Sequence, residues 1–239
     1  MTTITSTGLR KRMADTGNMA VVHSAMRRDL VRIRLLLDSP AATRVATRQR
    51  LAQHLRWFLD FLDHHHAAED AWLWPVLRAR GQAELADALE AEHAGMAPAI
   101  GDLRTVAEAY WTEHCAPATL RSAVDKVSSL LAVHLAEEDR AMPLVGQLIT
   151  RREWMAFEKE GALKGRSMRE LGWDANWIMD GTTEEQRRQF LQGVPRLARL
   201  LVFDRFANAY RRDRDELWGG TPAADVPSLN ATDFAGRNA

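Results

Sequence analysis

From about residue 18 to residue 148, apolar side chains return every three or four positions, the period of helices that bury one stripe. A first stretch, 18–38, carries Val21, Val22, Met26, Leu30, Ile33 and Leu37 and breaks at Ser39-Pro40. A second starts between Thr43 and Thr47, both acceptable caps, and sets Leu51, Leu55, Phe58 and Leu62 on one face until Pro75 kinks or ends it and Gly81 closes the segment. A third spans 83–111 through Leu85, Leu89, Met96, Ile100 and Leu103, with a bend expected at Pro98. A fourth begins after Ala116-Pro117, continues through Leu120, Val124, Val127, Leu130 and Leu131, and meets Pro143 in the role of Pro75. Strand signals are almost absent. Connections this short favour antiparallel neighbours, so the fold expected is all-α, an up-down-up-down four-helix bundle over 18–148.

The pattern loosens after residue 148. Short helical stretches follow at 151–165 and 167–180; Thr182 with Glu185 forms a capping box before Phe190 and Leu191. A longer amphipathic helix covers 195–218. Residues 149–218 are therefore expected as helices packed on the bundle. Residues 1–17 are expected as a flexible lead, and 219–239, rich in Gly, Pro, Ala, Asp and Asn, as a disordered tail.

Composition narrows the class without naming it. With 32 basic against 32 acidic residues, the net charge gives no reason to expect nucleic acid or a membrane surface as partner. One cysteine, Cys115, leaves no disulfide framework and fits a reducing compartment. No apolar run follows Arg10, Lys11 and Arg12 as a secretory signal requires, and none is long enough to span a bilayer, so the expected location is the cytoplasm. Oligomeric state is not readable from these features.

The chemistry lies in a doubled spacing. His23 and His65 stand 42 residues apart, His93 and His134 stand 41 apart, and each second histidine is followed four residues later by a glutamate, Glu69 or Glu138. Four residues is slightly more than one helical turn, so each His/Glu pair shares a face. About forty residues suits one helix, a turn and most of the return helix, which brings all six side chains to a similar height. Imidazoles and carboxylates from four facing helices are what a dinuclear metal site in a bundle core requires. The strings His65-His66-Ala67-Ala68-Glu69-Asp70 and His134-Leu135-Ala136-Glu137-Glu138-Asp139, each trailed by a proline, repeat the design.

On these residues, together with Leu73-Trp74-Pro75 and Glu92-His93, the chain between 18 and 148 resembles the hemerythrin or HHE cation-binding domain family. That resemblance implies a cofactor of two non-haem iron ions with a bridging oxo or hydroxo group. It implies Glu69 and Glu138 as bridging carboxylates and His23, His65, His93 and His134 as terminal ligands. Asp139 is the alternative to Glu138, because oxygen-carrying members place an aspartate five residues after the last histidine. Those members also have a histidine one turn after the one matching His93, where this chain has Ala97. His66 shares a stripe with His65 and Glu69 and is the candidate for that place. With His66 one iron position stays open for O2, H2O2 or NO; without it two do, as suits a catalyst better than a carrier.

Asp70 and Glu92 are placed as acceptors that orient ligating imidazoles, with solvated surface charge as the plain alternative. His54 lies roughly 16 Å before His65 along its helix, too far to ligate. His64 and His114 read as surface residues, and Trp72, Trp74, Trp111, Tyr110 and Tyr210 as packing. Leu62, Leu89, Leu130 and Leu131 should keep water from the site. A ferritin-like arrangement needs Glu-x-x-His twice, and only Glu90 and His93 supply it. A tetrahedral zinc site has too few positions for this donor set. The expected function is handling of O2, H2O2 or NO at a di-iron centre, as carrier or peroxide-consuming enzyme. The alternatives are a di-iron oxygenase with a substrate pocket beneath the extension, and an iron- or redox-sensing regulatory module.

Overall fold

A computed structural model of the chain describes residues 13–192 and 194–238. Four long helices carry the periodic stretches: α1 Gly17–Leu37, α2 Val45–Ala68, α3 Ala83–Trp111 and α4 Pro117–Leu148. Helix α1 packs on α4, α4 on α3 and α3 on α2, in the order an up-and-down bundle dictates. No β-strand occurs among the described residues, only an isolated bridge between Met13 and Thr150. The expectation of a flexible lead falls mostly on residues outside those described. Thr16, inside it, is buried and its hydroxyl donates to the Met142 carbonyl at 3.1 Å.

Helix α2 passes through a π turn, Glu69–Leu73, into Trp74–Ala79. Pro75 has no N–H to donate to the preceding turn, and the π turn absorbs the mismatch, with the Trp74 N–H reaching the Glu69 carbonyl five residues back. Gly81, at φ +77°, then reverses the chain. Pro143 does not repeat this role. Helix α4 runs past it to Leu148, because the ring sits on the exposed face, where the freed carbonyl can meet water. Pro98 likewise lies exposed within an unbroken α3.

Two apolar layers fill the bundle. The larger contains Met26, Leu30, Leu55, Phe58, Leu62, Leu103 and Leu131. The smaller contains Met19, Trp74, Leu77, Leu89, Met142 and Val145. Between them, on each of the four helices, lies a short polar interval: His23, His65 to Glu69, His93, and His134 to Glu138.

The extension begins with α5, Arg151–Ala156, and α6, Met168–Met179, each opened by a capping box, Thr150 with Glu153 and Ser167 with Glu170. Next come α7, Glu184–Gln192, and Arg196–Ala198, which passes through a further π turn, Arg199–Asp204, into α8, Arg205–Trp218. The box expected at Thr182 and Glu185 is formed one residue later. The Thr183 hydroxyl accepts from the Gln186 N–H at 3.2 Å and Gln186 Oε1 accepts from the Thr183 N–H at 2.9 Å. Thr182 is committed elsewhere, its hydroxyl donating to the Met179 carbonyl at 2.7 Å.

Helix α1 is buried on nearly every face, including Arg27, Arg28, Asp29 and Arg32. The bundle covers its apolar stripe, and the extension covers its charged side. Asp29 accepts from the Trp177 indole of α6 at 2.8 Å and contacts His54 Nε2 at 2.6 Å. Asp180, at the end of α6, binds Arg32 Nη1 at 2.5 Å, Arg214 Nε at 3.1 Å and the Tyr210 hydroxyl at 3.0 Å.

The segment expected to be a disordered tail is built into this wall. Pro222–Asp225 forms a 3-10 turn and Ala231–Asn238 a helix, α9, packed on α1 and α4. Ala223, Val226, Leu229 and Phe234 are all buried. Arg32 and Arg214 donate to the carbonyls of Val226, at 3.1 Å, and Ala224, at 2.7 Å, which supplies the partners that its Gly- and Pro-rich composition does not.

Candidate metal centre

The polar interval holds two groups of metal-ligating atoms, each mutually within 4.8 Å: His66, His93 and His134, and His23, His65, Glu69 and Glu138. The two groups adjoin. His93 Nε2 and His134 Nε2 lie 3.2 Å apart, and His23 Nε2 and His65 Nε2 lie 3.4 Å apart. Glu69 reaches across both, with one oxygen 3.1 Å from His65 Nε2 and the other 3.7 Å from His93 Nε2. Glu138 Oε2 lies 3.3 Å from His23 Nε2 and 3.6 Å from His134 Nε2. Each carboxylate thus sits between one imidazole of each group.

Local structure accounts for the aim of each side chain. The π turn starts at Glu69, so its carboxylate enters the bundle axis together with His65 and His66, which belong to the last regular turn of α2. His66 stacks on His93 with centroids 4.0 Å apart and planes at 13°, at a place that position 97, an exposed alanine, does not fill. On α4, Glu138 is wholly buried and faces the cluster, whereas Asp139 turns toward α1. There its carboxylate meets His23 Nδ1 at 2.7 Å and Arg27 Nη2 at 2.6 Å. Asp70 takes His93 Nδ1 at 2.7 Å and Glu92 takes His134 Nδ1 at 2.9 Å. Three imidazoles are therefore held by carboxylates at Nδ1, which fixes the ring and directs Nε2 into the cluster. Arg27 was not singled out in the sequence; its signal was position, one turn beyond His23 on the same helix.

Electrostatics make the pocket fit a cation. Both oxygens of Glu69, both of Glu138 and Nε2 of His66 are buried without a hydrogen-bond partner. Orphans of this kind are costly in a dry interior unless something positive satisfies them. Burial, then the neighbouring Glu138 carboxylate, pushes Glu69 well above the usual carboxylate range. Burial and adjacent imidazoles draw His65 and His66 well below their ordinary value, and His134 is drawn down to about 4 for the same leading reason. Imidazoles kept neutral beside carboxylates that lack a counter-charge form the donor set a metal ion uses.

The surroundings are apolar on most sides. Leu62, Leu89 and Leu131 are buried, but Leu130, expected with them, lies 39% exposed because α4 turns it outward. Toward the extension, the π turn Phe157–Leu163 lies on the π turn that carries Glu69. A Cβ on Gly161 would meet Ala68 Cβ at 3.1 Å and Trp72 Cδ1 at 3.2 Å, so the two segments approach as closely as they do because no side chain stands between them. His64, read as a surface residue, is tied into this seam, its Nε2 3.1 Å from the Ala162 carbonyl. His54 stays out of the cluster on Asp29, and His114 is exposed beside Thr112. Trp74 is fully buried, whereas Trp72 is 42% exposed.

An all-α bundle whose interior gathers five histidines, all but His65 buried, with two buried glutamates defines a helical metal-binding protein. Residues 15–144 match the hemerythrin HHE cation-binding domain family, and the chain belongs to it. No curated protein and no solved structure matches the chain. Among the described residues no helix is long and apolar enough to cross a membrane.

Proposed function

We propose that this site holds a pair of iron ions and binds or processes O2, H2O2 or NO. His66, His93 and His134 would hold one ion and His23 and His65 the other, with Glu69 and Glu138 shared between them. The observation that carries this reading is the placing of the two unpartnered carboxylates, each between an imidazole of one group and an imidazole of the other. A carboxylate with both oxygens free in that position suits a bridge between neighbouring cations. Bound iron would supply reversible one-electron chemistry at the ligand-binding position. The chain's own residues bind and orient: Asp139, Asp70 and Glu92 hold imidazole Nδ1 protons, and the leucines and the Gly161 seam limit water.

The closed seam beside the site favours a small ligand over a bulky substrate. A cleft between bundle and extension does exist, but it lies beside His54, about three helical turns from His65. A substrate held there would sit well away from the metal, so this cleft does not favour the oxygenase alternative. The test is metal analysis of protein purified after growth in iron, followed by mixing the reduced protein with O2 under a visible spectrometer. Bound iron with an O2-dependent absorption change supports the reading. A protein that carries no iron, or iron blind to O2, H2O2 and NO, contradicts it.

A further inference from the structure

A continuous line of aromatic rings leads from the candidate centre to the surface. Phe61 stacks near His65 with centroids 6.3 Å apart and planes at 10°. Phe61 meets Trp57 at 6.0 Å and Trp177 at 4.9 Å, and those two indoles meet each other at 5.1 Å. Trp57 then touches Trp173 at 6.3 Å, and Trp173 touches Tyr210 at 5.2 Å. Trp57, Trp173 and Tyr210 line the surface cleft of about 430 Å³, with Trp218 as another aromatic wall. That volume falls in the range that takes small organic molecules. Of the charges in its lining, Arg50 pairs with Glu216, Glu170 with Arg166 and Arg214 with Asp180, and exposed Arg169 and Asp213 carry opposite signs, so the cleft suits a neutral planar ring more than an ion.

Three of these rings also share a polar detail. The Trp57 N–H donates to Asp174 at 3.3 Å, the Trp177 N–H to Asp29 at 2.8 Å and the Tyr210 hydroxyl to Asp180 at 3.0 Å. A carboxylate at the N–H or O–H lowers the cost of removing an electron from the ring, by Coulomb attraction to the hole and by accepting the proton. Packing alone does not require Trp57, Trp177 and Tyr210 each to hold a carboxylate.

Resting on the iron reading above, we infer that the cleft is the docking site of a phenol- or hydroquinone-type electron donor, and that Trp57, Trp173, Trp177 and Tyr210 carry its electrons past Phe61 to the centre during peroxide reduction. Two donor molecules each lose one electron and one phenolic proton. Peroxide takes both electrons and both protons, its O–O bond breaks, and two waters form. The centre and the rings return to their starting state.

The test uses full-length, oxidised, iron-loaded protein with measured iron content, mixed with H2O2 and freeze-quenched for electron paramagnetic resonance, with hydroquinone as the donor probe. Wild type should show a tryptophan or tyrosine radical that hydroquinone removes as it is itself oxidised. Trp57→Phe keeps a ring in the packing but cannot be oxidised so easily. It should retain iron yet lose most of the radical and at least about tenfold of the hydroquinone oxidation rate. Trp173→Phe, at the cleft, tests the same step should Trp57→Phe not fold. Iron-loaded wild type without a radical, or variants with unchanged radical and rate, would overturn the relay and leave the metal site standing. Protein that holds no iron overturns both, and the metal analysis separates the two cases.

Discussion

His65 and His54 sit on the same helix and both touch a buried carboxylate, yet they belong to different chemistry. His65 has its Nε2 among Glu69 and His23; His54 is spent on Asp29, which it shares with Trp177. His65→Ala should lower bound iron well below wild type and His54→Ala should leave it unchanged, as read by metal analysis of the two purified variants. Equal content in both would sink the ligand assignment. Asp139 differs from Glu138 in the same way. Asp139→Asn removes the acceptor of His23 Nδ1 but no atom of the cluster, so metal affinity should fall by about 10–100-fold, whereas Glu138→Gln should cost more. A competition titration with a chelator ranks them. At this scale the sequence is informative about which residues meet, because the 42- and 41-residue intervals are set by helix and turn lengths. It could not choose between Glu138 and Asp139. Neighbouring residues on a helix point about 100° apart, and only the placing of α1, with Arg27 ready for Asp139, decides which carboxylate faces inward. His66 was legible from its stripe; its stacking on His93 was not.

At the scale of elements, the periodic stretches gave the four long helices, α1 and α3 almost to the residue, since each has a continuous apolar stripe. The ends of α2 and α4 were displaced, by the π turn at Glu69 and by the exposed Pro143 that α4 passes. What periodicity could not show is that α1 is buried on its charged side as well. That depends on partners more than a hundred residues away, above all Asp180. Burial alone would raise this carboxyl, but Arg28, Arg32 and Arg214 outweigh it and hold the group below its ordinary value. Its contribution to stability is therefore complete above the ordinary carboxylate range and is lost as pH falls through the lower, folded-state value. Chemical unfolding midpoints should decline below about pH 4 in wild type, and Asp180→Asn should flatten that decline. Removing the charge also leaves buried Arg32 with only the Val226 carbonyl and, at 4.0 Å, Asp29, so the variant should be less stable than wild type at neutral pH. Hydrogen exchange should then quicken in α6 and α8 before the bundle. Uniform slow exchange across the extension in Asp180→Asn would show that this ion cluster does not fasten it.

For the molecule as a whole, the extension and tail complete the bundle's wall. Their composition misleads, because Gly, Pro and Asn between residues 219 and 239 dilute four apolar contacts that only a pre-formed α1 and α4 make worthwhile. Phe234→Ala should cost about 3–5 kcal/mol, typical of a buried aromatic, visible as a lowered denaturant midpoint. No change would mean that α9 is not docked. The polar layer between two apolar layers is the feature that gives the fold its purpose, and it makes a numerical demand. Protein loaded anaerobically with ferrous iron and freed of excess by gel filtration should retain about two irons per chain. One iron or none per chain would contradict a shared pair of carboxylates between neighbouring metal ions.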